Sequence, residues 1–363
     1  MTRTWIAACL VTLGLAVSAS CAAGNEETTE KDCPVGSEKC PCTTGGACDP
    51  PLECFSGVCV DPNGTGGGGG STSSGIGGLG GMTSSGTGGQ QNCEEGCQKI
   101  DVLFTLDHSA SMQEEIGALS SSQAFTEVVN ALSEVNCGDI EFRVGLADDY
   151  HPAFIVPGGW SGSVPWFDSA EMAIGAIATN FTAAAQALMG GAATPTGCEH
   201  VLSNATELLK TDSTGFIRDD ALLVLILVTD VDDYGEYDQN SWLAGGACAG
   251  FGCNEPPPPM NTLQADLLAL KNGDDKGIAT IVIAGDPNIS AGVNMCNQPG
   301  SCAGGMGFLA FHADRLWAFA GLQAGSNGVA ADICAGAQSV PTAIRDAFNG
   351  KIDLACKGFE PPR

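Results

Sequence analysis

Asp101-Val-Leu-Phe-Thr-Leu-Asp107-His-Ser109-Ala-Ser111-Met is an apolar run that stops at an acid and delivers an Asp-x-Ser-x-Ser triplet into the turn that follows. Residues at i, i+2 and i+4 of an extended turn can converge their oxygens on one point. One carboxylate with two hydroxyls is an all-oxygen donor set suited to a hard cation such as Mg²⁺. A second stretch, Met189-Gly-Gly-Ala-Ala-Thr194-Pro-Thr196-Gly, is a Gly-rich loop that carries Thr ahead of a helical pattern beginning near Cys198. A third, Leu222-Leu-Val-Leu-Ile-Leu-Val-Thr229-Asp230, reads as a central parallel strand buried on both faces, with Asp230 at its carboxyl end. Open α/β sheets bind ligands at the carboxyl ends of their strands, so Asp107 and Asp230 are expected on one edge.

Outward from these stretches the pattern alternates. Residues 112–135 show helical spacing through Ile116, Leu119, Ala124, Val128 and Leu132, and residues 141–147 are strand-like. Helices are expected over 168–189, 199–210, 260–272, 309–320 and 338–354, and a buried strand over 277–284. Strands alternating with helices give the α/β class: a doubly wound, mostly parallel sheet flanked by helices, assigned to residues 93–363.

Asp-x-Ser-x-Ser, then Thr in a Gly-Gly loop, then Thr-Asp closing a buried strand, resembles the von Willebrand factor A domain, also called the integrin I domain, over about residues 98–357. The resemblance implies a metal-ion-dependent adhesion site. Ser109 and Ser111 would bind Mg²⁺ directly (Mn²⁺ or Ca²⁺ being alternatives), with Thr194 as the switchable ligand. Asp107 and Asp230 would act through water, and one position would stay open for a carboxylate of a protein or other ligand. Thr194 is preferred to Thr196 because the family ligand is the first Thr of its Thr-x-Thr. The same likeness brings the domain termini together, so that Cys93 or Cys97 could join Cys356. Gly commonly follows the last Asp in this family, whereas here the run is Asp230-Val-Asp232-Asp233. Asp232 and Asp233 could hold an auxiliary cation, and the reading preferred is that they are solvated loop charges.

The N-terminus points to export. Residues 1–21 read as a signal peptide whose apolar core, residues 5–17, is too short to span a bilayer. It ends Val-Ser-Ala-Ser-Cys21, which resembles the lipobox of bacterial lipoproteins, apart from Ser18 where that motif prefers Leu. The chain has 18 Cys; removal of Cys9 and lipidation of Cys21 leave an even 16 that could all pair. Residues 22–32 form a polar tether, and Ala22 after the Cys resembles outer-membrane sorting in Gram-negative bacteria. The lipid is then the only expected membrane contact. Cys33, Cys40, Cys42, Cys48, Cys54 and Cys59 make residues 33–60 a six-Cys module too small to bury a useful core, so disulfides are expected in it rather than zinc. Residues 61–92 are a flexible linker rich in Gly, Ser and Thr, without the Lys-Ser/Thr ending of a phosphate loop. Close spacing suggests that Cys248 pairs with Cys253, and Cys296 with Cys302.

Forty-two acidic residues against 14 basic ones give a net charge of −28, which excludes a nucleic-acid partner because no basic stripe neutralises phosphates. An acidic field of this kind concentrates cations near Asp107, Asp148, Asp149, Asp230, Asp232 and Asp233. A metal-dependent phosphohydrolase would need a second acid near its aspartyl nucleophile and a Lys or Arg for the phosphoryl charge. Here position 109 is Ser and basic residues are scarce near every motif. The four His, at 108, 151, 200 and 312, show neither metal-ligand spacing nor a triad setting. The expectation is therefore an envelope-anchored binding protein and not an enzyme. An A-like domain with a vestigial metal site is the alternative.

Overall fold

Two compact units, residues 1–86 and 87–363, divide the chain. The computed structural model describes residues 48–49, 53–55, 58–60, 96–138, 140–189, 198–235, 256–293, 299–302, 310–325 and 327–362. In the first unit, strands β1 (Glu53–Phe55) and β2 (Val58–Val60) pair antiparallel with Cys54 opposite Cys59. Cys48 is disulfide-bonded. Cys21, Cys33, Cys40, Cys42, Thr194, Thr196, Cys248, Cys253 and Cys296 lie outside the described residues.

The second unit is built on β3 (Lys99–Leu106), β4 (Glu141–Asp148), β5 (Phe167–Asp168), β6 (Leu222–Val228) and β7 (Ile278–Ala284), with a separate small pair, β8 (Gly292–Val293) and β9 (Pro299–Gly300). With β10 (Gly328–Asp332) these give a six-stranded sheet in the order β10-β7-β6-β3-β4-β5. Every neighbour pair is parallel except β4 with β5. All residues of β6 and β7 are buried, as apolar runs without a polar face require. From β3 the chain moves outward to β4 and β5, then returns to the other side of β3 for β6, β7 and β10. The winding direction therefore reverses between β3 and β6, which opens a crevice at their carboxyl ends.

Helices cover both faces because successive strand residues point to opposite sides. Ile100, Val102 and Phe104 pack with α1 (Gln113–Leu119), α2 (Ser122–Glu134), α3 (Ile174–Leu188) and, further along the chain, Val340 and Ile344. On that face Phe125 and Phe181 stack at 3.6 Å, and Phe104 meets Phe181 edge-on at 4.8 Å. Leu103, Leu223 and Leu225 pack on the other face with α4 (Val201–Thr211), α5 (Met260–Leu270) and α6 (Asp314–Gly321). Val340 and Ile344 belong to α7 (Ser339–Ala347), which passes through one π-helical turn, Phe348–Ile352, into α8 (Asp353–Gly358).

Several expected boundaries move for local reasons. The helix anticipated over 112–135 is two helices, because the Ser121 hydroxyl accepts from Ala124 N at 3.3 Å and starts a new one. The helix anticipated from 168 begins at Ile174, since Asp168 ends β5 and its carboxylate accepts from Ala170 N. The helix anticipated over 309–320 begins at Asp314. β10 was not anticipated from its sequence, Gly-Val-Ala-Ala-Asp, which lacks the bulk of a buried strand. Gly328 is required there, as a Cβ would lie 1.8 Å from Ala320 O.

Cys97 bonds Cys356, tying the start of β3 to α8 with their Cα atoms 4.9 Å apart. The staple expected between Cys296 and Cys302 does not form, because Cys302 bonds Cys334. The Ser301 hydroxyl donates to Asp332 Oδ1 at 3.1 Å, which sets the end of β9 beside the end of β10 and brings the two Cα atoms to 5.0 Å. Cys137 and Cys198 are also disulfide-bonded.

Candidate functional site

Strand register assembles the site. Leu106 lies opposite Asp148 on one side and Val228 on the other, so the chain leaves the sheet at one level in Asp107, Asp149 and Thr229-Asp230. Asp107 N donates to Val228 O at 2.9 Å, extending the β3–β6 ladder by one step beyond the strands. Asp107 is fully buried; its Oδ1 accepts from Ser109 N at 2.8 Å and its Oδ2 from the Thr229 hydroxyl at 2.8 Å. The first of these bonds closes the turn that carries the two serines. Ser109 Oγ and Ser111 Oγ stand 2.9 Å apart and half-buried at the mouth of the crevice.

Three acids that do not belong to the sequence motif join this edge. Asp149, at the end of β4, accepts from His108 N at 3.1 Å and contacts the His108 ring, and its carbonyl accepts from His200 N at 3.0 Å. Burial pushes the Asp107 carboxyl well above the usual range, and repulsion from Asp230, Asp149 and Glu199 adds to it. Burial likewise raises Asp230, against hydrogen bonds from Ser111 and Asp107 that pull it down. Glu115, in the first turn of α1, is raised by burial and by Asp230. Two carboxyls within hydrogen-bonding reach, such as Asp107 and Asp230, need a proton or a cation between them. Asp230 Oδ1 is out of contact with solvent and accepts no hydrogen bond.

The acidic run after Asp230 is not solvated, which corrects the expectation for Asp232 and Asp233. They are 3% and 0% exposed, and each takes over the start of a helix that has no cap of its own. His200 and Ala313, the residues preceding α4 and α6, make no side-chain cap. Asp233 accepts from Leu202 N at 2.9 Å, Ser203 N at 3.1 Å and Ser203 Oγ at 2.7 Å. Asp232 accepts from Arg315 N at 3.0 Å and Leu316 N at 3.1 Å. These are the second and third helical N–H groups, the ones an N-cap residue normally serves. Two successive aspartates thus lock the Asp230 loop to two helices. Burial raises the Asp232 carboxyl to about 7.

Of the five residues expected in the site, Asp107, Ser109, Ser111 and Asp230 come together on the carboxyl edge, and Thr194 lies outside the described residues. Asp149 was visible in the sequence only as one of six acids expected to gather cations, with no place in the motif, while Glu115 and Glu199 carried no signal before the fold placed them. Among the described residues, no three His, Cys, Asp or Glu side chains group as ligands of one ion. A cation here would therefore depend on the hydroxyls. The serine hydroxyl separation of 2.9 Å suits that role. Two adjacent ligands of an octahedral ion with metal–oxygen bonds of 2.0–2.1 Å lie about 2.9 Å apart. The donor set, the orphaned Asp230 oxygen and the mutually repelling acids all fit a hard divalent ion.

No protein-family model matches the chain, and no curated protein matches it. Among solved structures, the chain is similar to the human COPII-coat protein Sec24c at a TM-score of 0.30 and 11% identity. That match covers 52% of this chain and spans 27% of the length of the other, and a likeness so slight carries no argument here.

Proposed function

We propose that residues 93–363 are a binding domain of the von Willebrand factor A type that takes a protein or other carboxylate-bearing ligand through a divalent cation, Mg²⁺ in the first instance. The observation that carries this reading is the orphaned Oδ1 of Asp230, a residue at the carboxyl-rich edge where the sheet reverses its winding. Ser109, Ser111 and Thr194 would supply hydroxyl ligands, and Asp107 and Asp230 would hold the ion through water. Bound there, the cation supplies a positive centre that an outside carboxylate can meet. Asp107 orients the serine turn through Ser109 N, and Thr229 couples it to the neighbouring strand. Both Asp107 oxygens are already engaged by these donors, which favours a positioning role over that of an aspartyl nucleophile and so a binding module over a phosphohydrolase.

The reading extends to the whole chain as an exported lipoprotein, anchored through Cys21 in a Gram-negative outer membrane and carrying its binding domain on the linker of residues 61–92. Among the described residues no helix is long and apolar enough to cross a membrane. Calorimetric titration with Mg²⁺ tests the binding site. A single site of micromolar to millimolar affinity, lost in Asp107→Ala, is expected. Equal heats from wild type and variant would leave a vestigial site as the better description.

A further inference from the structure

Beside the strand-end acids lies a cavity of about 330 Å³ that the cation site does not use. Its walls include Asp149, Tyr150, His200, Asn204, Glu207 and Tyr234, and among the described residues no Lys or Arg lines it. We infer that this cavity receives a basic side chain, an arginine, of a protein partner.

The wall chemistry selects the guanidinium. His200 and Tyr234 stack with their ring centroids 3.6 Å apart and their planes 12° from parallel. Tyr234 holds this pose at φ +59°, a left-handed conformation unfavourable for a residue with a side chain. Tyr150 is 44% exposed, a large aromatic presented to solvent at the cavity rim. Glu207 supplies the counter-charge. Lys210 sits 2.8 Å from Asp266 but 3.8 Å from Glu207, so the Glu207 carboxylate is only loosely compensated. Aromatic faces next to a carboxylate are the surroundings in which a planar, weakly hydrated guanidinium binds better than an ammonium or a neutral group. The volume lies at the small end of ligand pockets, right for one side chain. A net charge of −28 draws cationic partners toward it. Asp149 both lines the cavity and repels Asp107, so the pocket adjoins the carboxyl edge of the sheet. This inference goes beyond the cation reading and does not require a bound metal.

The test uses the full chain and two probes without a carboxylate, N-acetyl-arginine amide and its neutral isostere N-acetyl-citrulline amide, followed by NMR of the tyrosine rings in Mg²⁺ and in EDTA. The arginine probe should saturate in the millimolar range, shift Tyr150 and Tyr234, and bind at least about fivefold more tightly than citrulline. Glu207→Gln and Tyr150→Ala, both at exposed positions, should each weaken it about five- to tenfold, with chelation making no difference. Equal affinity for the two probes, unchanged arginine binding in Glu207→Gln, or no saturable binding overturns the pocket. Because neither probe can meet a metal, failure of the cation site in Asp107→Ala leaves this result readable.

Discussion

Replacing Asp233 with Ala separates a structural cap from a loop charge. The carboxylate is fully buried and accepts three hydrogen bonds, from Leu202 N at 2.9 Å, Ser203 N at 3.1 Å and Ser203 Oγ at 2.7 Å. Loss of an N-cap alone costs about 0.5–2 kcal/mol. Here the buried Leu202 N–H would also be left without an acceptor, at roughly 1–3 kcal/mol before local relaxation, and the half-buried Ser203 N–H would lose its acceptor as well. A total loss of about 3 kcal/mol follows, and for a chain of this size it lowers the melting temperature by roughly 6–12 °C. Asp233→Asn keeps an acceptor for the N–H groups and should lose only about 1 kcal/mol. Urea denaturation followed by circular dichroism at 222 nm measures both variants against wild type. A loss below about 0.5 kcal/mol in Asp233→Ala, the size typical of a solvated surface charge, would refute the cap.

The pH dependence of stability should run opposite to that of a protein held by ion-paired acids. Asp101, Asp107, Glu115, Asp230 and Asp232 all have raised carboxyls, so the folded state holds their protons more tightly than the unfolded chain does. That contribution is complete below about pH 4, the unfolded value, and is lost as pH rises through the folded values. For Asp232 the loss runs from about pH 4 up to its folded value of about 7 and levels off above it. In EDTA the melting temperature should therefore fall between pH 5 and pH 8, Asp232→Asn should flatten the fall, and a rise would contradict it. Lys271 is 3% exposed and donates to the carbonyls of Arg218 (2.7 Å), Asp219 (3.0 Å) and Ala221 (2.6 Å). Lys271→Met should cost about 2–4 kcal/mol in chemical denaturation, and a neutral result would show that these contacts add nothing net. Metabolic labelling with a clickable palmitate should tag the wild type and not Cys21→Ala, whereas equal labelling of both would remove the lipid anchor.

Much of the sheet was legible because β3, β6 and β7 are buried on both faces and announce themselves as apolar runs. β5 and β10 were not, since two residues or a string of small ones leave no pattern. Asp107 and Asp230 could be placed because each ends such a run. The roles of Asp232 and Asp233 were hidden: what buries them is the start of α4, before them in the chain, and of α6, more than 80 residues after them. Only the folded chain brings those N–H groups within reach. The Cys296–Cys302 expectation failed for a related reason. Spacing along the chain ranks near neighbours first, whereas Cys302 meets Cys334 through the packing of strand ends 32 residues apart.

Crystals of the protein soaked in Mn²⁺ and measured at the manganese absorption edge would test the cation site most directly. The expected result is one anomalous peak at the carboxyl ends of β3 and β6, at bonding distance from Ser109 Oγ and Ser111 Oγ and absent from Asp107→Ala crystals. A peak that avoids both serines, or none at saturating Mn²⁺, would contradict it.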